Sequence, residues 1–419
     1  MTGSGIFLLP AALAMFGGIS IFGWFFTLIG SIFLALVFSR LSRLITKAGG
    51  PYTYSREGFG DFAGFLVAWG YWISIWCGNA AIAVAGVGYL SVFFPSLKNS
   101  FLLSAGLAIG VIWFFTYINT KSIRSVGIVQ LITTALKILP LLLLGTLGLL
   151  YFNVGYFSPF NLSDMSNFDA ITATAALTLW AFLGLESATI PSDKVKNPGK
   201  TIPRSTIAGL LIAALMYISS TVAIMGIIAP SDLQNSSAPF ADAAQKVWGS
   251  WAYYLVAAGA VISCFGALNG WILLQGQIPM AAARDKIFPG IFKKVTKRGI
   301  PLLGIIIASA LASFLVGMNY SKGLVRMFSF IIMLSTLTCL LPYLLSSLSE
   351  LMLYLRKKKS FNRKKLILAS IISIPAFMYS LWAISGLEWE IIIWGMLLLA
   401  CGIPIFLLLK FRKGKINIS

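Results

Sequence analysis

Thr178-Leu-Trp-Ala-Phe-Leu-Gly-Leu-Glu-Ser187 decides the fold. It lies inside an apolar run long enough to cross a bilayer, and it holds Glu186, the one carboxylate placed within such a run. An ionised carboxylate in hydrocarbon is costly, so an intramembrane Glu faces a cavity or a partner and marks a substrate or proton path. Gly184, two residues earlier, is where the helix can open. Backbone groups freed there are tolerated at membrane depth only where they line a cavity or meet protein. Trp180 lies six residues before Glu186. On an unbroken helix the two would point roughly 240° apart, so they share one cavity only if the helix opens between them. The plainer alternative is a satisfied Glu in a packed helix beside a chance Gly.

Composition places this stretch in a polytopic membrane protein. The chain has 419 residues, 58% hydrophobic and 11% charged, with a mean hydropathy of +0.89. Soluble proteins carry about 25% charged residues. Twelve apolar runs read as spans, the first (1–16) short and broken by Gly3-Ser4-Gly5 and Pro10. The expected class is all-α, with a core over residues 1–347 and two further helices over 348–419.

The net charge of +20 follows topology. The segments 40–56, 121–124, 194–204, 284–298, 356–365 and 410–415 hold 27 of the 32 basic residues. The alternate loops hold only Lys98, Lys246, Lys322 and Arg326. The positive-inside rule makes the first set cytoplasmic, with both chain ends on that side. No soluble basic domain exists to bind nucleic acid. The cysteines lie within apolar spans and offer no disulfide framework. With no His there is neither a Ser–His pair nor a His-ligated metal, and no intramembrane Asp supplies an aspartyl dyad. Neither an enzyme, a metal nor a cofactor is expected. A channel would need a continuous polar stripe or charged ring.

Spans 1 and 6 carry the same kind of break, at Gly3-Ser4-Gly5 and at Gly184, five spans apart. An odd offset inverts the second half. Interrupted helices at matching places in inverted halves point to a transport site near the midplane. Gly-Ser-Gly lets backbone N–H groups face a carboxylate at a half-helix N-terminus. Trp180 and Trp271 offer aromatic faces for a cation, the alternative being packing. Span 3 adds Tyr71, Ser74 and Asn79, span 10 adds Ser335, and Gln275 and Gln277 follow Trp271. Asn79 reads equally as a ligand to a guanidinium or amide and as an interhelical hydrogen bond. Lys137 is a second intramembrane charge, either a proton carrier, a fixed positive charge or half of an ion pair.

Gly3-Ser-Gly-Ile-Phe-Leu-Leu-Pro10, Gly49-Gly-Pro-Tyr-Thr-Tyr54, Trp72 to Leu90, Thr178 to Ser187 and Lys194-Val-Lys-Asn-Pro-Gly-Lys-Thr-Ile-Pro203 together resemble the amino acid–polyamine–organocation superfamily. Within it they resemble the basic amino acid/polyamine antiporters, the bacterial arginine/agmatine exchangers above all. The resemblance implies a five-plus-five inverted-repeat fold of the leucine-transporter type with two added helices. It also implies alternating access in the bacterial inner membrane, exchange of arginine for agmatine, and a homodimer. It assigns the substrate's α-carboxylate and α-amine to Gly3, Ser4 and Gly5, stacking and gating to Trp180, and further contacts to Asn79, Trp271 and Ser335. It assigns proton coupling to Glu186 and pH sensing to Tyr54. Two departures stand out. The family carries a further apolar half-helix before Gly-Ser-Gly, so span 1 is expected to be incomplete and transport by the chain as written poor, down to an inactive truncated remnant. Lys137 resembles a residue of sodium-independent members that replaces a sodium ion, which leaves a sodium-independent or proton-coupled permease for neutral amino acids as the other reading.

Overall fold

The structure, a computed structural model, describes residues 4–47, 49–121, 138–190, 195–356 and 363–416. Its longer helices are α1 (Leu9–Ala14), α2 (Ser20–Leu44), α3 (Pro51–Phe59), α4 (Asp61–Leu90), α5 (Phe101–Lys121), α6 (Asn167–Phe182) and α7 (Pro198–Ile227). They continue with α8 (Pro239–Trp248), α9 (Ser250–Arg284), α10 (Leu302–Asn319), α11 (Leu324–Arg356), α12 (Arg363–Ser385), α13 (Trp389–Ala400) and α14 (Gly402–Ile416). Among the described residues ten helical stretches are long and apolar enough to cross a membrane. Two of the twelve expected spans run into residues outside the described set. Among the described residues the first is a 3-10 turn at Ser4–Phe7 followed by the six-residue α1, and the fifth contributes a shorter apolar helix over Ile138–Tyr151.

The chain's chemistry explains these bounds. Pro10 and Pro51 sit in the first turns of α1 and α3, where a missing N–H costs nothing. Helix α4 is the central column and packs mainly against α11 and α9. Its 30 residues span about 45 Å. Gly70, Ser74 and Gly78 recur every four residues, giving it one small-residue face for close helix approach. Pro342 lies inside α11 and deprives the Thr338 carbonyl of its helical partner. Helices α12 to α14 lie at the periphery, where Trp389 and Leu397 are exposed to the surroundings as on a lipid-facing span.

Interhelical bonds sort the loops as the charge pattern does. Segments of the basic class bond to one another: Arg40 to Glu350 at 2.7 Å, Tyr52 to Asp285 at 3.0 Å, and Arg298 to the Lys121 carbonyl at 2.6 Å. Segments of the other class do likewise: Lys322 to Glu390 at 3.3 Å and Ser91 to Ser237 at 3.0 Å.

Candidate functional site

Helix α6 stops at Phe182 because Leu183 turns extended (ψ 141°) and Gly184 takes φ +96°. That φ is left-handed territory, which a Cβ penalises. The freed carbonyls are recaptured at once. The Ser187 hydroxyl donates to the Gly184 carbonyl at 2.6 Å, and the Thr189 hydroxyl donates to the Glu186 carbonyl at 2.6 Å. An open backbone at this depth is thus satisfied within the protein. The opening needed between Trp180 and Glu186 is present.

Glu186 is fully buried and is held from two other helices. Tyr71 of α4 donates to its Oε1 at 2.6 Å, and Tyr343 of α11 donates to its Oε2 at 2.5 Å. The carboxylate therefore ties α4 and α11 to the open stretch. The same two helices are pinned nearby by Ser74 and Ser335, whose hydroxyls lie 3.0 Å apart, with the Ser335 hydroxyl also 2.7 Å from the Ser74 carbonyl.

The two indoles sit on glycines. A Cβ at Gly5 would lie 2.1 Å from Trp180 Nε1, and one at Gly78 would lie 2.9 Å from the far edge of the same ring. Trp180 is thereby wedged between the broken first span and α4. A Cβ at Gly184 would lie 3.2 Å from the Trp271 ring. Gly5, Trp180, Gly184 and Trp271 converge on the two breaks. Gly3 and Lys137 lie outside the described residues, and of Ser4 only the backbone is described, opening the 3-10 turn.

Asn79 belongs to a polar seam between α4, α9 and α10. Its Nδ2 donates to Gln275 Oε1 at 2.6 Å, an interhelical hydrogen bond.

Toward the basic-loop face, Tyr54 is buried and packs its ring 6.5 Å from Phe38, and Phe38 lies 5.6 Å from Tyr343. Burial raises the Tyr54 phenol above tyrosine's ordinary pKa. Tyr52, not singled out in the sequence, faces a cavity of about 660 Å3 lined by Lys47, Arg56, Glu57, Arg284 and Asp285. Burial, and then the Asp285 carboxylate, push its phenol well above the ordinary value. Sequence reading also missed Tyr343. The available signal was a polar ring following Pro342 in mid-span.

The amino acid permease family profile matches residues 1–407. The cadaverine/lysine antiporter of Escherichia coli (strain K12) is 36% identical over 356 residues, 83% of this chain and 79% of the relative. The putrescine transporter PotE of Haemophilus influenzae is 32% identical over 414 residues, 98% of this chain and 94% of the relative. Among solved structures, a substrate-bound, outward-open Na+-coupled sialic acid symporter aligns with a TM-score of 0.51 at 11% identity, covering 91% of this chain and 89% of that one. That likeness concerns the fold alone and agrees with the leucinetransporter-type architecture. The chain is a multi-pass membrane transporter rather than an enzyme, and it belongs to the amino acid permease family, among the basic amino acid/polyamine antiporters.

Proposed function

We propose that the chain exchanges a basic amino acid for a decarboxylated amine by alternating access. The observation that carries this reading is Glu186, a buried carboxylate in an opened helix, with each oxygen bonded from a different helix. Such a group answers a cationic substrate or a proton, and its two tyrosines give a moving stretch fixed points to leave and return to. In this reading the Gly3–Gly5 backbone takes the α-carboxylate and α-amine, and the cationic head lies between Trp180 and Trp271. Ser74, Ser335 and Asn79 shape the cavity between them.

Arginine with agmatine is the pair implied by the sequence resemblance. The relatives' names add cadaverine with lysine, and putrescine. These substrates share a cationic head on a flexible carbon chain. We further place both termini in the cytoplasm, since basic residues concentrate in that set of loops, and the protein in the bacterial inner membrane as a homodimer. Residues 1–347 form the transport core and 348–419 the added helices, although α11 itself runs on to Arg356.

The test is exchange by purified protein in liposomes loaded with lysine, arginine, agmatine, cadaverine or putrescine. Labelled basic amino acid should enter only where an amine or amino acid is present inside. Uptake into empty liposomes at the same rate would replace exchange by uniport, and uptake of neutral amino acids alone would replace the substrate class.

A further inference from the structure

We infer that the segment joining α9 to α10 is a binding surface for an anionic phospholipid, with its lysines on the headgroup phosphate and its apolar tips among the acyl chains.

The segment lies at the level where spans end. It runs from Arg284, the last residue of α9, to Leu302, the first of α10. Arg298 within it donates to the carbonyl of Lys121, the last residue of α5, at 2.6 Å. Its path is fixed by its own chemistry. Phe288 and Phe292 are buried, with rings 5.9 Å from Trp69 and 5.8 Å from Trp72 of α4 respectively. The Thr296 N–H donates to the Ile300 carbonyl at 2.9 Å. With the two phenylalanines turned inward, Ile291 and Val295 are left 52% and 40% exposed. Exposed apolar residues set among lysines suit a segment lying in the membrane interface.

The charge of this surface is not answered within the protein. Residues 286–299 hold five basic residues and no acidic one. Lys293, Lys294 and Lys297 are exposed, and among the described residues none of them forms an ion pair. Other cations of the basic loops do: Arg40 with Glu350, Lys47 with Glu57 and Arg56 with Asp61. Three unanswered lysines beside a bilayer call for an anion from outside, and basic clusters at this level hold anionic head groups. Through Arg298 the surface adjoins the outer face of α5. There Phe114 and Tyr117 are exposed, and the Lys121 ammonium lies 4.9 Å over the Tyr117 ring. A phospholipid supplies both the phosphate and the acyl chain that this arrangement takes. A free phosphate would leave Ile291 and Val295 without a partner, and lysines that only orient the spans need no apolar tips.

The test is binding of a fluorescent phosphatidylglycerol to purified full-length protein in neutral detergent micelles. It is competed with unlabelled phosphatidylglycerol, with phosphatidylcholine of the same acyl chains, or with inorganic phosphate. Phosphatidylglycerol should compete best, and its advantage should shrink as NaCl rises from about 50 mM to about 500 mM. A lysine near an anionic lipid strengthens binding up to about fivefold. Lys293→Gln, Lys294→Gln and Lys297→Gln combined should therefore weaken phosphatidylglycerol about tenfold or more and leave phosphatidylcholine unchanged. If that variant does not purify as a monodisperse species, the three single variants replace it, each expected to lose about twofold to fivefold. Ile291→Ser with Val295→Ser should weaken both lipids. Lys196→Gln, Lys200→Gln and Arg204→Gln combined remove the same charge from exposed positions of another basic loop and should change little. Equal weakening by the two triple variants would reduce the effect to overall charge. Phosphate competing as well as the lipid would make this a free-anion site, and phosphatidylcholine competing as well would remove the headgroup from the account. Any of these three results would overturn the inference.

Discussion

The Tyr343 hydroxyl donates to Glu186 Oε2 at 2.5 Å, joining α11 to the opened stretch of span 6. Because Tyr71 holds the other oxygen from α4, the carboxylate is a three-way joint. Any movement of the stretch 183–186 against α4 and α11 must break or trade one of these bonds. A hydrogen bond to a charged group is worth about 1.5–3 kcal/mol. Tyr343→Phe should therefore slow exchange by about tenfold or more at normal protein yield, and Tyr71→Phe should do the same. Full-rate exchange by the double phenylalanine variant in liposomes would show that the joint is idle.

Arg40 and Glu350 form a second tie, at the basic-loop face. Three guanidinium–carboxylate bonds of 2.7–3.0 Å join them. The Glu350 side chain is fully buried and that of Arg40 is 21% exposed. Removing one partner of a buried pair strands a charge and costs about 3–5 kcal/mol, whereas replacing both by apolar groups is often neutral. Arg40→Ala should lower thermal stability in detergent clearly, and Arg40→Met with Glu350→Leu should recover most of the loss. If the double replacement were as unstable as the single one, packing rather than charge would be the cause.

The sequence marks what is chemically odd in an apolar run, and that part of the site was legible. Gly184 and Glu186 stand out because neither belongs in a packed hydrocarbon helix, and the opening lies where they lie. Charge alternation likewise gave the loop classes that the interhelical bonds reproduce. Tyr343 was not legible, since a mid-span tyrosine reads as packing until a partner is seen across the helix. Tyr52 and Tyr54 differ by about 200° around one helix. Which of them faces the cavity depends on how α3 docks, and no local pattern encodes that. The pairing of Asn79 with Gln275 depends in the same way on the register of α4 against α9.

Tyr52 governs the charged cavity through Asp285, with the hydroxyl donating at 3.0 Å. Its raised pKa sets the sign of any pH effect. A tyrosine titrating above its ordinary value of about 10 keeps its proton at every lower pH, so from the phenol's side the bond is present throughout the neutral and acid range and is lost only in strong base. Tyr52→Phe should loosen the end of α9 from α3, leaving the Arg56–Asp285 pair at 3.9 Å as the remaining tie. Ala281→Cys, placed in the cavity lining of a Cys401→Ser background, reports this. Cys77, Cys264 and Cys339 are buried, so labelling reads the new thiol. Its rate should rise with Tyr52→Phe at neutral pH. An unchanged rate would separate Tyr52 from access to the cavity.

Gly5 and Trp180 provide the sharpest test of how the two breaks communicate. The indole nitrogen occupies the space a Cβ on Gly5 would need, at 2.1 Å, and the same ring rests on Gly78 on its other side. Gly5→Ala must therefore move the ring or the 3-10 turn at Ser4–Phe7, and Gly78 offers the ring no room to retreat. We expect Gly5→Ala to weaken substrate binding strongly. Trp180→Ala should also weaken it, through loss of a cation-facing ring worth about 0.5–2 kcal/mol, while stability falls less. The decisive measurement is the double variant. Residues in contact couple by about 0.5–3 kcal/mol in a mutant cycle. With the indole gone, the extra methyl at position 5 meets no ring, so Gly5→Ala should cost little further in the Trp180→Ala background. Additive losses in binding would mean that Gly5 acts through its own backbone on the ligand and that Trp180 acts separately.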